Sequence, residues 1–255
     1  MDDLTLDEIK PFGLQLYQPR HGYRYSLDAL LLAHFCTEFK PGAKIIDLGA
    51  GCGIIALMLA QINSEASAVA VENNSEMAAL VERNVEHNDL AGRVVLHYGD
   101  VINLRKNFPV STFDLVVSNP PFRTPSSGKI SPIAGRGTAR HETTAGLADF
   151  IATAKYLIKP SGKICFIQLP ARLAEFMSLV TEMKLTVLRL RMVHSDAKSP
   201  ATMFMAELAK GKRSTPIVES PLIVRDVQGN YSEEVAKMLG IYDKKTSEVS
   251  KTSEV

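Results

Sequence analysis

The residues best suited to chemistry are Asn119, Pro120, Pro121 and Phe122, which directly follow an apolar, β-branched run at 113–118. Two adjacent prolines cannot continue a β-ladder or form an ordinary helix interior, so this is a stiff loop that carries an amide and an aromatic ring. The Asn119 side-chain carbonyl and the Pro120 backbone carbonyl can each accept one N–H from a planar amino group. Bonds aimed off that plane favour a pyramidal nitrogen with a free lone pair, and they stabilise positive charge as the nitrogen attacks an electrophile. No separate general base is needed, because the product nitrogen can lose its proton to solvent. The bland alternative is a structural proline turn.

A second candidate lies upstream. The string Asp47-Leu48-Gly49-Ala50-Gly51-Cys52-Gly53 joins a short apolar run at 43–48 to a helix rich in Ala, Leu and Met. Open α/β sheets bind ligands outside the carboxyl ends of their strands, and glycines there let the backbone approach a ligand closely. A tight βα turn is the plain reading. Gly51-x-Gly53-x-x-Ala56 also matches a loose dinucleotide fingerprint, but that leaves Asp47 and Gly49 unexplained. Glu72 ends the next strand-like run, where a carboxylate can accept from ribose hydroxyls or stand as an exposed strand-end charge. Asp100 follows a third run and reads equally as a turn-forming aspartate.

The elements that must position these residues alternate. Strand-like runs at 43–48, 68–72, 93–98, 113–118 and 163–169 are separated by helical stretches at 53–61, 75–87 and 145–158. Ser75 is the expected N-cap of the second helix, and Pro160-Ser161-Gly162 should stop the third. Alternating βα units predict a parallel sheet covered on both faces. Segments 185–193 and 202–208 lack a crossover helix between them and predict an antiparallel edge hairpin. Residues 216–225 read as one more extended segment and 231–239 as a terminal helix. Near the N-terminus, Ser26 or Asp28 can cap a helix with Leu27, Leu30, Leu31 and His34 on its apolar face.

Asp47-x-Gly49-x-Gly51-x-Gly53 resembles the first motif of the Rossmann-like methyltransferases that use S-adenosylmethionine. Asn119-Pro120-Pro121-Phe122 resembles the Asn-Pro-Pro-Phe/Tyr motif of those that alkylate adenine N6, guanine N2, cytosine N4 or glutamine N5. The resemblance implies an α/β fold with a seven-stranded, mostly parallel sheet, an antiparallel edge hairpin and helices on both faces. It implies S-adenosylmethionine as methyl donor and S-adenosylhomocysteine as product. Asn119, Pro120 and Phe122 would be catalytic, with Phe122 stacking on the substrate. Gly49, Gly51 and Gly53 would meet the donor's methionine end, and Asp47 its ammonium, in part through water. Glu72 and Asn73 would meet the ribose region, and Asp100 and Val101 the adenine. Tyr25, Ser26, Asp28 and Asn119 complete the cofactor set.

Residues 18–33 (QPRHGYRYSLDALLLA) closely resemble the start of the bacterial adenine-N6 tRNA methyltransferases that act beside the anticodon of a valine tRNA. Arg140-His141-Glu142, residues 221–225 and Asn230-Tyr231-Ser232-Glu233 continue the likeness. It implies a tRNA substrate. Arg123, Lys129, Arg136 and Arg140 are cations with no acid among them, in a loop whose glycines and serines make it mobile. Such a loop can grip phosphates. With His141, and with Arg20 and Arg24, they form the RNA-binding set. Lys210, Lys212 and Arg213 are a smaller cluster that reads equally as solvated surface. The competing substrates are a glutamine in a release factor or ribosomal protein, and a guanine in ribosomal RNA. The first usually needs a separate N-terminal module, and the second often has a duplicated methyltransferase half. A non-catalytic subunit would have no use for the Asn119 amide.

Composition sets the outer limits. With Lys+Arg 29 against Asp+Glu 28, a protein that wraps a polyanion through net charge is excluded, so RNA binding must come from local clusters. The cysteines Cys36, Cys52 and Cys165 are odd in number and far apart. They suit a reducing, cytoplasmic setting rather than a disulfide framework. Cys52 reads as a small filler and Cys36 and Cys165 as buried. The histidines show no metal spacing, so no metal is expected. No apolar run spans a bilayer. The expected organisation is one domain over 1–243: a covering segment (1–40), a Rossmann-like core (41–210) and a C-terminal strand and helix (211–243). A disordered polar tail should follow (244–255). The sequence says nothing of oligomeric state.

Overall fold

The structure, a computed structural model, describes residues 3–21, 24–121, 145–211 and 213–241. It begins with a feature the sequence reading missed. Strands β1 (Leu4–Ile9) and β2 (Leu14–Pro19) form an antiparallel hairpin of their own, turned through Gly13 at φ +61°. Along β2 the burial alternates strictly, with Leu14, Leu16 and Gln18 inward. That period-2 pattern was the available signal. Helix α1 (Leu27–Phe35) follows and is buried nearly all round, at Ala29, Leu30, Leu31, Leu32, Ala33 and Phe35. The narrower apolar face expected for it is thus corrected. The cause is packing on several sides: α1 meets α2 (Ile54–Ile62), β7 (Ile158–Gln168) and α6 (Glu233–Met238).

The main sheet matches the expected class. Strands β3 (Lys44–Leu48), β4 (Ser67–Glu72), β5 (Val94–Tyr98), β6 (Phe113–Ser118) and β7 are parallel neighbours in the order β7-β6-β3-β4-β5. Strands β8 (Leu185–His194) and β9 (Ala201–Lys210) form the expected hairpin, with β9 antiparallel to β7. To these seven long strands the structure adds two short ones, β10 (Ile217–Val218) and β11 (Leu222–Ile223), both parallel to β8. Among the described residues the sheet thus has nine strands where seven were expected. Helices α3 (Ser75–His87), α4 (Leu147–Leu157) and α5 (Leu173–Glu182) complete the layers.

Two buried clusters hold the layers together. Ile45, Leu57, Leu115 and Val117 pack with α1, α2 and the N-terminal hairpin on one face of the sheet. Ile46, Val116, Phe150, Phe166 and Phe176 pack with α4 and α5 on the other. Each such side chain contributes about 1.5–3 kcal/mol on burial.

Two local expectations change. Asn74, not Ser75, caps α3: its side chain accepts the Met77 N–H at 2.9 Å, while Ser75 is already helical. Helix α4 ends at Leu157, ahead of Pro160 as expected, but residues 160–162 already lie within β7, which does not wait until Lys163. The chain enters β7 at Ile158 and bulges opposite Asp114, with Phe113 paired to Ile158 and Leu115 to Lys163. Gly162 is required there, because a Cβ would sit 2.8 Å from the Asp114 carbonyl.

Candidate active site at the carboxyl edge of the sheet

The glycine loop leaves β3 with Gly49, Gly51 and Gly53 at φ +75°, +58° and +88°. Only glycine adopts these values without strain. The Gly49 and Ala50 N–H groups both donate to the Val71 carbonyl, at 3.0 and 2.8 Å, which ties the loop to β4. Glu72 holds it from the other side. Its Oε2 accepts the Gly51 N–H at 2.8 Å, and its Oε1 accepts from Asn73 and Asn74 at 2.9 and 2.8 Å. At 8% exposure Glu72 is not the exposed strand-end charge that the sequence left open. Burial raises its pKa against the lowering effect of those N–H groups. Asp100 caps the short 3-10 turn Val101–Lys106, accepting the Ile102 N–H at 3.1 Å. Val101 is buried beneath it.

The loop forms one wall of a recess. Gly49, Ala50, Cys52, Ile54 and Ile55 line it from one side, Tyr25, Ser26 and Ala29 from the other, and Asn119 joins them. Four of the sequence candidates, Tyr25, Ser26, Gly49 and Asn119, are thereby brought together from three separate parts of the chain. Asp28 lies beside them, accepting the Ser26 hydroxyl at 2.8 Å. Ser26 occupies the N-cap position of α1, but its hydroxyl goes to Asp28 rather than to the helix backbone, so the expected side-chain cap is absent. Burial raises the Asp28 pKa, and it pushes the Tyr25 hydroxyl up to about 12, with the Asp7 charge adding to the effect. The Cys52 thiol is likewise pushed up to about 12 by burial, which suits a filler and not a nucleophile.

The polar atoms of this edge are unusual. Among the described residues, the buried side-chain atoms without a hydrogen-bond partner are both carboxylate oxygens of Asp47, Oδ1 of Asn119 and Nε2 of Gln168. Asp47 is the penultimate residue of β3, Asn119 directly follows β6, and Gln168 ends β7. Burial raises the Asp47 pKa to about 7 against the lowering effect of the nearby Ala56 backbone N–H, and the neighbouring Glu72 charge adds to the rise. A buried donor or acceptor left unpaired costs about 1–3 kcal/mol, so a cluster of them at one edge needs an explanation. The donor set fits S-adenosylmethionine: Asp47 for a positive ammonium, glycine backbone for close approach, and a recess between α1 and the loop. Sequence reading missed Gln168, Gln18 and Asn84. Asn84 left a trace, a polar residue on the buried face of α3 between Val81 and Val85.

Other candidates fare differently. Arg24 was expected to grip RNA, but its guanidinium is committed to the hairpin. It bonds Asp7 Oδ2 at 2.6 Å, Thr5 Oγ1 at 2.7 Å and the Pro19 carbonyl at 2.9 Å. Arg20 is exposed, with Asp3 at 3.8 Å. Lys210 reaches Ser111 Oγ at 3.2 Å and the Ile158 carbonyl at 3.4 Å, which ties the end of β9 to the turn before β6 and the start of β7. Phe122, Arg123, Lys129, Arg136, Arg140 and His141, and the tail 244–255, lie outside the described residues. Among those described, no group of three His, Cys, Asp or Glu side chains is arranged to hold a metal. No described helix is long and apolar enough to cross a membrane.

Comparison with known proteins decides the family. The profile described as the methyltransferase small domain matches residues 27–173. The chain belongs to that family. It is an S-adenosylmethionine-dependent methyltransferase. A relative from Porphyromonas gingivalis strain W83, named tRNA1(Val) (adenine(37)-N6)-methyltransferase, is 30% identical over 84% of this chain and 86% of its own length. A relative of the same name from Shewanella loihica is 28% identical over 83% of this chain and 88% of its own. Among solved structures, a predicted O-methyltransferase from Agrobacterium tumefaciens superimposes with a TM-score of 0.67 at 22% identity. It covers 84% of this chain and 95% of that one. At that identity it supports the fold alone.

Proposed function

We propose that this methyltransferase acts on the exocyclic N6 of an adenine in tRNA, the reaction for which its relatives in Porphyromonas and Shewanella are named. One observation carries the reading: Asn119 Oδ1 is buried, has no partner, and lines the recess beside the glycine loop. An acceptor held in place before its donor arrives pays no reorganisation when the substrate binds. Asn119 Oδ1 and the Pro120 carbonyl each take one N–H of the target amine and hold its lone pair out of the ring plane. Phe122 stacks on the base, worth about 1–3 kcal/mol. S-adenosylmethionine supplies an electrophilic methyl group on a positively charged sulfur.

The remaining roles follow from position. Asp47 offsets the donor's ammonium, Gly49, Gly51 and Gly53 admit its methionine end, and Glu72 retains acceptor capacity toward the ribose. Asn73 lies beside Glu72 toward the ribose, and Asp100 and Val101 flank the adenine side. Residues 1–40 cover the donor, 41–210 form the catalytic core and 211–243 close the sheet edge. Arg20, Arg123, Lys129, Arg136, Arg140 and His141 hold tRNA phosphates, and the adenine must be splayed from its stack to reach Asn119. Such a substrate places the protein in the cytoplasm.

The test supplies radiolabelled S-adenosylmethionine with two acceptor pools, total tRNA and total protein, followed by nucleoside analysis. Label recovered as N6-methyladenosine supports the reading. Label in protein, or in N2-methylguanosine, overturns the substrate and leaves the donor site standing.

A further inference from the structure

The two walls of the recess belong to segments far apart in sequence, residues 25–29 and 49–55, and a buried polar chain connects them. Asn84 on α3 is fully buried and its side chain makes three bonds. Its Nδ2 donates to the Cys52 carbonyl of the glycine loop at 3.0 Å and to the Tyr17 carbonyl of β2 at 3.1 Å. Its Oδ1 accepts the Tyr17 N–H at 2.7 Å. The next residue on β2, Gln18, is 1% exposed and completes the path. Its Oε1 accepts the Tyr25 N–H at 2.9 Å, and its Nε2 donates to Asp7 at 2.8 Å, the carboxylate that also holds Arg24. One amide thus grips the loop wall, the adjacent residue grips the α1 wall, and β2 carries the connection.

A second asparagine shows what docking alone looks like. Asn88, one turn further along α3, brackets Gln15 of β2 in the same way. It accepts the Gln15 N–H at 2.8 Å and donates to the Gln15 carbonyl at 2.7 Å. As the C-cap of α3, its side chain also donates to the Asn84 carbonyl at 2.7 Å, and not to the glycine loop. The Asn88 contacts tie the hairpin to α3 without touching the glycine loop. The Asn84 bond to Cys52 is additional and lands on the wall that meets the donor.

We propose that Asn84 and Gln18 are positioning residues that fix the spacing of the two cofactor-pocket walls through β2, so that the N-terminal hairpin is part of the donor site rather than an appendage. The inference rests on reading the recess as the donor site. Buried amides hydrogen-bonded through both oxygen and nitrogen are held in one arrangement, and it sets the width of the pocket before ligand arrives. Donor affinity should therefore depend on these amides, while the chemical step at Asn119 should not.

The experiment titrates S-adenosylhomocysteine calorimetrically into the full chain and three variants, Asn84→Ala, Gln18→Met and Asn88→Ala, with a thermal melt of each. The expected result is a Kd raised about tenfold by Asn84→Ala and by Gln18→Met, and by less than about twofold by Asn88→Ala, even where the melts fall equally. In turnover assays KM for S-adenosylmethionine should rise by a similar factor, with kcat at saturation retained. The double variant Asn84→Ala, Gln18→Met should be no weaker than the weaker single one, because both break the same path. Equal weakening by Asn88→Ala, or unchanged affinity in Asn84→Ala and Gln18→Met, overturns the proposal. Should Asn84→Ala fail to fold, Gln18→Met decides, since it leaves the bonds to Tyr17 and Cys52 intact. A wild-type chain that binds no S-adenosylhomocysteine overturns the reading of the recess itself, an outcome distinct from failure of the bridge.

Discussion

Asp47 and Asp114 lie on adjacent parallel strands, β3 and β6, toward opposite ends of one sheet, and their surroundings are opposed. At the amino end, Asp114 accepts Lys159 Nζ at 2.8 Å, Lys40 Nζ at 2.9 Å and the Lys44 N–H at 3.0 Å. Burial pushes its pKa up, but Lys159, the Lys44 N–H and Lys40 outweigh that and bring it to about 2. At the carboxyl end, Asp47 is fully buried with no hydrogen-bond partner, and its pKa stands at about 7. The same side chain is a brace at one edge and an unmet acceptor at the other. Asn119 and Gln168 repeat the unmet pattern at the carboxyl edge. Folding stability explains the amino edge. The carboxyl edge carries polar groups that stability alone would remove, as expected where a ligand supplies the missing partners.

The contrast can be broken most severely at Asn119. Asn119→Ala should cut turnover by about a hundredfold or more, the scale of losing one preorganised transition-state contact. S-adenosylhomocysteine affinity should barely change and the thermal midpoint should hold or rise, because the buried Asn119 side-chain oxygen has no partner to lose. A variant that keeps a tenth of the wild-type rate removes the role assigned to this amide.

Asp47→Asn should separate function from stability. Donor affinity, read by calorimetry, should fall about tenfold or more as the charge opposite the ammonium is lost. Stability should move the other way. Because folding raises the Asp47 pKa from 3.8 to about 7, the native state is favoured while the group is protonated, and that advantage is lost as pH rises through this range. Denaturant titrations should find Asp47→Asn the more stable protein above that range by about 1–3 kcal/mol, with the gap closing toward acid. A gap that is constant with pH would mean the carboxylate is solvated or paired.

Asp114→Asn should do the reverse, costing about 1–3 kcal/mol at neutral pH and leaving turnover unchanged. Its folded pKa is depressed to about 2, so its contribution is present above 3.8 and is lost as pH falls toward about 2. The penalty should fade over that acid window. The smallest effect concerns Cys52. All three cysteines are buried, and the Cys52 thiol is held at about 12. Labelling by a disulfide reagent near neutral pH should therefore run about a hundredfold slower than for a free thiol until the chain is unfolded. Rapid single-site labelling would mean the recess is open at its base.

Much of the carboxyl edge was legible in the sequence because its devices are local. Glycines at alternate positions mark a backbone with positive φ, two prolines mark a stiff loop, and the alternation of apolar runs fixes which end of each strand they occupy. What escaped is non-local. The β1–β2 hairpin lacks a family of strands around it, so its alternation was short and easily passed over. The role of Arg24 depends on Asp7 across the hairpin, and that of Glu72 on Gly51, 21 residues away. The buried face of α1 exceeded its sequence pattern because three elements pack on it. Asn74 displaced Ser75 as the cap by a single residue, within the usual uncertainty of helix ends.

The most direct test of the central claim is a crystal structure of the chain with S-adenosylhomocysteine and adenosine. The account predicts the thioether product in the recess between Tyr25–Ser26 and Gly49–Ile55, with Asp47 no longer without a partner and Asn119 Oδ1 accepting the adenosine amino group. A ligand bound elsewhere, or an Asn119 amide turned away from that amino group, would contradict it.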